Sequence, residues 1–140
     1  MPKRVALKDY VEVDNVNLST FARQVSYSSE HNRVDVSGFN STGADEFLAG
    51  NTVQQVTVTF FGSYGSGEVH ATLANLHKNR TVFDFEYRPD QTAAASATNP
   101  ALRGSVQLLS YSPGVTRGDA DTFDAVFTAA DANGLWFFNT

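Results

Sequence analysis

The chain has 140 residues, no cysteine and a formal net charge of -5 at pH 7. A length of 140 residues fits one domain with its own core, and the lack of cysteine excludes disulfides and thiolate metal sites. The negative charge disfavours a protein that grips nucleic acid, because that affinity comes mainly from cationic side chains that neutralise phosphates.

The first eight residues are charged and lack the apolar run of a secretory signal. They predict an extended N-terminal arm at residues 1–8, as part of a single domain that covers residues 1–140. The chain contains no run of about eighteen apolar residues, so no membrane span is predicted. We therefore expect a soluble product of the cytoplasm.

The opening segment predicts antiparallel strands. Residues 10–13 alternate in polarity, Asp14-Asn15 is typical of a turn, and residues 16–21 resume the alternation, which predicts a hairpin. A further strand is predicted over residues 22–38, with an interruption at residues 30–32.

The middle of the chain predicts a long loop, a central strand and a helix. The loop covers the twelve residues 40–51, a length typical of loops with a function. Residues 56–61 alternate valine and phenylalanine with threonine, which predicts a central strand covered on both faces. A helix is predicted over about residues 67–79, with Ser66 as its cap. Its apolar stripe consists of Val69, Leu73 and Leu76.

The next strand, at residues 83–88, has one aromatic and one charged face and ends at Pro89. Residues 90–102 predict a loop, because Asn99 precedes Pro100 and such a residue is pushed towards extended geometry. This loop has small side chains and no apolar face.

The C-terminal part predicts a strand pair at residues 105–111 and 121–128, joined by a turn at residues 112–114. A last apolar segment covers residues 135–138. Strands far outnumber the single helix, so the sequence predicts a mainly β fold, a sandwich or barrel with one packed helix.

Motifs for chemistry are weak. His70 and His77 stand about 10 Å apart along a helix, too far for the chelation that adjacent turns allow. Asp119, Asp121 and Asp124 form an acidic cluster, but the glycine and glutamate of an EF-hand are missing at the required positions. No nucleophile elbow or phosphate-binding loop occurs. We expect neither enzymatic activity nor a metal or cofactor.

A series of short segments occurs along the chain in a specific order, and this order is more informative than any single segment. The segments are Val34-Asp35-Val36-Ser37, Glu46-Phe47-Leu48-Ala49-Gly50, Val56-Thr57-Val58-Thr59, Ser96-Ala97-Thr98-Asn99-Pro100, Gly104, Tyr111-Ser112-Pro113, Gly118-Asp119 and Thr122-Phe123. Together they resemble the tail tube proteins of long-tailed bacteriophages, over roughly residues 10–130.

This resemblance implies a β-sandwich with one helix that assembles into hexameric rings, stacked as a hollow tube for DNA ejection. It implies that strands of neighbouring subunits line the channel and that long loops bridge subunits and rings. The implied partners are other copies of the chain, the tape measure, terminator and tail-tip proteins, and DNA that passes without specific binding. The implied location is the virion tail, after assembly in the host cytoplasm.

Several residues are candidates for contacts between subunits. Phe47 and Leu48 lie among polar residues of the first long loop and could anchor a neighbour, or could instead cover their own core. The basic N-terminal end and the acidic C-terminal end suggest pairing between copies. The alternative is a disordered, solvated N-terminus that makes no such contact. The full set of candidates is Phe47, Leu48, Lys3, Arg4, Lys8, Asn99 and Pro100.

The charge of the chain also suits a conduit. Six copies at -5 each give a formal charge of 6 × -5 = -30 per ring, and an acidic wall lacks the counterion-release gain that holds DNA on basic surfaces. Asp84 and Glu86, on the charged face of one strand, are candidates to face the lumen, although an ordinary solvated face would have the same composition.

Two other functions remain open on the sequence alone. The chain could be another virion protein, such as a tail terminator, a tail-tip protein or a head decoration protein. It could also be a carbohydrate-binding β-sandwich, which would need an exposed aromatic platform. Phe83, Phe85 and Tyr87 alternate as a core face, and Trp136 is the one tryptophan.

Overall fold

The computed structural model describes residues 4–39 and 42–140. Within them, the chain forms strands and one helix, which confirms the mainly β fold class with one packed helix. In chain order the elements are β1 (Tyr10–Val13), β2 (Val16–Asn17), β3 (Ala22–Asp35), β4 (Phe47–Phe61), α1 (Val69–Lys78), β5 (Val82–Arg88), β6 (Ala101–Gly114), β7 (Thr122–Ala129) and β8 (Trp136–Phe138).

All described strands belong to one antiparallel sheet in the order β2-β1-β5-β6-β7-β4-β3, and β8 pairs with the start of β6. The two end strands, β2 and β3, are joined by only the short segment 18–21. The Phe61 amide donates to the Phe21 carbonyl at 2.7 Å and the Leu18 amide to the Val11 carbonyl at 2.9 Å. The sheet therefore curves round so that its two ends approach each other.

The core fills the inside of this curved sheet. Alternation along the strands places one face of each inward, so Val56, Val58 and Phe60 are fully buried. Phe127 of β7 contacts Phe83 and Phe85 of β5, with ring centroids 5.8 and 5.2 Å apart. The aromatic face predicted for β5 is thus a core face, and each buried phenylalanine contributes about 1.5–3 kcal/mol.

Helix α1 closes the core, and the predicted stripe of Val69, Leu73 and Leu76 is buried. The prediction of Ser66 as the cap is wrong. The Glu68 amide donates to the Gly65 carbonyl at 3.1 Å and Gly67 has a φ of +73°, so a turn precedes the helix. The N-cap is Glu68, whose side chain makes no capping hydrogen bond.

The opening hairpin is confirmed. Asp14 and Asn15 have φ angles of 50° and 64°. Positive φ at both central residues is what a two-residue hairpin turn between right-twisted strands requires. Asparagine and aspartate tolerate this conformation better than other non-glycine residues.

Three predictions are wrong in the β3 and β4 region. The interruption at residues 30–32 is a shift of pairing register between His31 and Arg33 inside a continuous strand. The loop predicted at residues 40–51 is shorter, because residues 47–51 pair with β3 as part of β4. Strand β4 is central, but only one face is buried, and Phe61 on the other face is 40% exposed.

The turn predicted at residues 112–114 is also wrong, because these residues pair with residues 122–124 at the end of β6. The pairing continues through Pro113, and the connection to β7 follows Gly114. The loop after β5 is confirmed, although it ends at Pro100 because β6 begins at Ala101. None of the helices formed by the described residues is long and apolar enough to span a membrane.

Candidate functional site

The hairpin of β3 and β4 extends well beyond the rest of the sheet. Strand β4 pairs with β7 only from Gln55 to Phe61, so residues 47–53 pair with β3 alone. We call residues 30–35 and 47–53 the ribbon, and the rest of the sheet with α1 the body. Six residues of extended strand give the ribbon a length of about 20 Å.

The ribbon exposes apolar side chains that its own chain leaves uncovered. Leu48 is 62% exposed, Val53 50% and Val34 45%. Phe47 carries the Arg33 guanidinium over its ring at 3.5 Å. Neither Phe47 nor Leu48 belongs to the core cluster, so they do not serve to cover the body. Their contact with a neighbouring subunit stays a prediction.

Gln54 fixes the base of the ribbon. Its side-chain amide donates to the Leu135 carbonyl and its oxygen accepts from the Leu135 amide, both at 2.8 Å. The Tyr27 hydroxyl also donates to the Leu135 carbonyl, at 2.6 Å. Gln54 and Leu135 are both buried. One glutamine side chain thus replaces the strand pairing that β4 loses where it leaves β7.

The basic N-terminal residues contact acids of their own chain. Arg4 donates to both carboxylate oxygens of Asp9, at 3.1 and 2.9 Å, and Lys8 lies 3.4 Å from Asp90. Lys3 lies outside the described residues. Pairing of Arg4 and Lys8 with a neighbour stays a prediction, and it would require them to exchange or share these partners.

Tyr87 completes the cluster around Asp9, to which its hydroxyl donates a short hydrogen bond. Burial would raise the pKa of Asp9, but the hydrogen bonds from Arg4 and Tyr87 outweigh burial and lower the pKa below its ordinary value. Burial, with the bond to Asp9, raises the pKa of Tyr87 to about 12. The cluster ties the N-terminal segment to β5.

The loop between β5 and β6 is organised by Asn99, which is only 6% exposed. Its side-chain oxygen accepts from the Asp90 amide at 3.0 Å, and its amide nitrogen lies 3.1–3.2 Å from the carbonyls of Asp90, Ala93 and Ala94. The predicted role of Asn99 and Pro100 at an interface is untested. Asn99 would act there by holding the loop in shape.

The charged face of β5 is more neutral than the sequence suggests. Asp84 is exposed, whereas Glu86 is mostly buried and forms salt bridges with Arg88 and Arg103. The Arg88 guanidinium also lies over the Tyr10 ring, 4.2 Å from its centroid. A lumen-facing position for Asp84 and Glu86 stays a prediction, and Asp84 would present the freer carboxylate.

The residues considered for metal binding have other partners. His70 Nδ1 lies 3.0 Å from the Tyr111 hydroxyl, and His77 Nδ1 lies 3.3 Å from the Leu108 carbonyl. Asp124 accepts a hydrogen bond from Thr59 at 2.9 Å. The part of the chain that the structure describes contains no group of three or more side chains placed to hold a metal ion.

Several solved structures share this architecture. A chain in the tail of an empty gene transfer agent particle, refined with C6 symmetry, is one of them. The match includes 95% of this chain and 96% of that chain, with a TM-score of 0.71 and 14% identity. A chain of the native gene transfer agent virion covers 97% and 99%, with a TM-score of 0.74 and 14% identity. The SPP1 tail tube covers 95% and 76%, with a TM-score of 0.68 and 13% identity.

The chain has the tail tube fold. A scan against protein-family models and a search of curated proteins find no match. At 13–14% identity the likeness concerns the arrangement of the backbone. The expected fold is therefore confirmed, and the function that this tail tube fold performs here has to be argued from the surface.

Two features of the tail tube fold in this chain were missed from the sequence. Gln54 was not singled out, because its partner Leu135 lies 81 residues further along the chain. Arg33 was not connected with Phe47, because their approach depends on the register of β3 against β4. Neither contact follows from local sequence pattern.

Proposed function

We propose that the protein is a structural subunit of a virion tail tube, which assembles into stacked rings, hexameric as in the C6-symmetric tail that shares its fold. The observation that carries the proposal is the ribbon, with its exposed apolar side chains, on a body of the tail tube fold. A surface of this kind is typical of a protein that completes its packing with another chain.

In this proposal the whole chain acts as one domain, and its contacts are geometric. Identical interfaces close a ring when their rotation closes, and they extend a stack when the two ends of the ring are complementary. The open edge of β3, which has β4 on one side only, would pair with a strand of a neighbour. The subunit needs no catalytic residue, metal or cofactor for this role.

The remaining partners belong to the same proposal. Tape measure, terminator and tail-tip proteins would contact the tube at its lumen and ends, and DNA would pass through during ejection. The formal charge of -5 per subunit favours passage over retention, because a wall of this sign repels the phosphates. Asp84 is the described carboxylate of β5 best placed to contribute to such a wall.

Imaging of the purified protein tests this function. We expect negative-stain electron micrographs of concentrated protein to contain long hollow tubes. Single rings or capped ends would favour a terminator, tail-tip or decoration protein. A persistent monomer that binds glycans saturably would favour a carbohydrate-binding domain and contradict the proposal.

The ribbon is tested separately with the double substitution Phe47→Ser and Leu48→Ser. Both side chains lie outside the core, so we expect the variant to fold with an unchanged thermal midpoint but to form no tubes. Val115→Ser, at an exposed valine remote from the ribbon, is the matched control and should assemble normally. Loss of the folded monomer would show that Phe47 and Leu48 stabilise the body.

A further inference from the structure

A groove on the outer surface of the body has the opposite charge to the ribbon. It lies between the end of α1 and strand β6, has a volume of about 470 Å³ and is lined mainly by His77, Lys78, Arg80, Gln107, Leu108 and Leu109. None of these residues is acidic. We call this surface the basic groove.

The two cations of the basic groove are available to a partner. Lys78 and Arg80 are exposed, and neither forms a salt bridge within residues 4–39 and 42–140. Lys78 stabilises the C-terminal end of the helix through the helix dipole, but Arg80 lies beyond that end. Leu109 adds an apolar side chain that is 56% exposed.

The shape of the basic groove is held by hydrogen bonds. The Gln107 side chain donates to the Arg80 carbonyl at 2.9 Å. His77 Nδ1 lies 3.3 Å from the Leu108 carbonyl, which fixes the helix end against β6. The turn that carries Arg80, with a φ of 53°, is therefore preformed.

The ribbon and the two residues before it are acidic and apolar. Within the ribbon the carboxylates are Glu30 and Asp35 and the guanidinium is Arg33, while Asp45 and Glu46 directly precede its second strand. The apolar side chains between them include Val34 and Leu48. Charge and apolar surface on the ribbon thus match charge and apolar surface in the basic groove.

Sheet register relates the positions of the two surfaces along the strands. One row of paired residues crosses the body through Ser28, Gln55, Thr128, Gln107 and Val82. The basic groove includes Gln107 and Thr128 of this row, and the ribbon begins two residues beyond Ser28. Along the strands, the ribbon therefore leaves the body close to the row of paired residues that also passes the basic groove.

We propose that the basic groove of one subunit receives the ribbon of the neighbouring subunit, with Lys78 and Arg80 facing the carboxylates of the ribbon and of Asp45 and Glu46 beside it. This inference rests on the proposed function and names the surface that completes it. The ribbon would bend towards the neighbour at the register shift between His31 and Arg33, since such irregularities bend a strand. The contact is heterologous, so repetition of it can close a ring.

Charge reversal tests this contact. We expect Lys78→Glu with Arg80→Glu to raise the protein concentration needed for assembly about tenfold, because two attractive pairs become repulsive. Adding Asp45→Lys and Glu46→Lys to the same chain should restore assembly. If Lys78→Glu acted only by destabilising the end of α1, substitutions at residues 45 and 46 would not restore it. Arg117→Glu against Lys78→Glu is a matched comparison of single reversals, since Arg117 is exposed and remote from the groove.

The outcomes separate this contact from the proposed function. Wild-type protein that stays monomeric at every concentration, by sedimentation, would overturn both. Wild-type tubes with an unchanged assembly threshold in the double reversal, or no recovery in the quadruple variant, would overturn the contact alone. Binding of a short DNA duplex that the double reversal abolishes, without any effect on assembly, would assign the groove to nucleic acid and also overturn the contact.

Discussion

Strands β3 and β4 run through both the body and the ribbon, but they pack apolar side chains into the core in the body and expose them in the ribbon. In the body, β4 has β7 on one side and β3 on the other, and its inward side chains are fully buried. In the ribbon, the same strand has one partner and exposes apolar side chains on its surface. Because a two-stranded hairpin is marginally stable in water, we expect the ribbon to open more readily than the body.

The comparison shows where to look for function in this fold. The body explains how the monomer folds, since every buried phenylalanine belongs to it. The ribbon adds nothing to that core, and its exposed apolar side chains are the reason why we propose a partner for it. Stability and assembly are therefore expected to respond to different substitutions.

Replacement of residues 32–51 by Asn-Gly is the most direct test of whether the body folds without the ribbon. The two residues would connect His31 and Thr52, which are paired, by the tight turn that Asn-Gly favours. We expect complete loss of assembly in sedimentation experiments, with a circular dichroism melt close to that of the wild type. A molten or insoluble body would contradict the separation of the two regions.

Gln54→Leu is expected to have the largest effect on the stability of the body. The buried Leu135 amide would lose its acceptor, whereas its carbonyl would keep the Tyr27 hydroxyl. An unpaired buried amide costs about 1–3 kcal/mol, measurable as a lower urea midpoint. Gln55→Leu, on the opposite face of β4, is the control and should change stability by less than about 0.5 kcal/mol.

Asn99→Ala is expected to have a smaller and more local effect. The variant removes the hydrogen bonds that close the loop of residues 90–100, but the freed backbone groups can reach water. We expect a loss of about 1 kcal/mol and faster hydrogen exchange confined to this loop. Thr98→Ala, at an exposed neighbour, should show neither change, and exchange that spreads to β6 would contradict a local role.

The smallest effect is expected at alkaline pH. Burial is the main cause that raises the pKa of Tyr10, Tyr87 and Tyr111 to about 12, from an ordinary value near 10. Their contribution is complete below the ordinary pKa of tyrosine and is lost as the pH rises through the raised pKa. Stability should therefore fall between about pH 10 and pH 12.

Tyr87→Phe makes this test more specific, because it removes one of the three tyrosine hydroxyls whose pKa is raised. Its alkaline loss of stability should be shallower than that of the wild type when both are followed by chemical unfolding. An identical decline in both proteins would show that Tyr87 does not contribute to it.

Local pattern was sufficient for much of the body. The turn at Asp14-Asn15, the stripe of α1 and the aromatic face of β5 each depend on neighbours within a few residues, and all three were predicted. The ribbon was not, because residues 47–51 become a strand only through pairing with β3. Glycine and asparagine in that segment favour a loop until the long-range pairing overrides them.

The surfaces for assembly were predictable only in part. The exposure of Phe47 and Leu48 was predictable because apolar side chains among polar ones stand out in a sequence, and their contact with a neighbour stays a prediction. The basic groove was not, because Lys78 and Leu109 belong to different elements and come together only when α1 packs on β6. Salt bridges such as Glu86 with Arg103 likewise depend on the register of two strands.

The clamp between Gln54 and Leu135 has a mechanical consequence. A pull on the ribbon does not act on β4 alone, because the glutamine passes part of the load to the C-terminal segment, which β8 fastens to β6. Tension is thus divided between two separate routes into the body. The base of the ribbon is therefore attached to the body at two places that are far apart in the sequence.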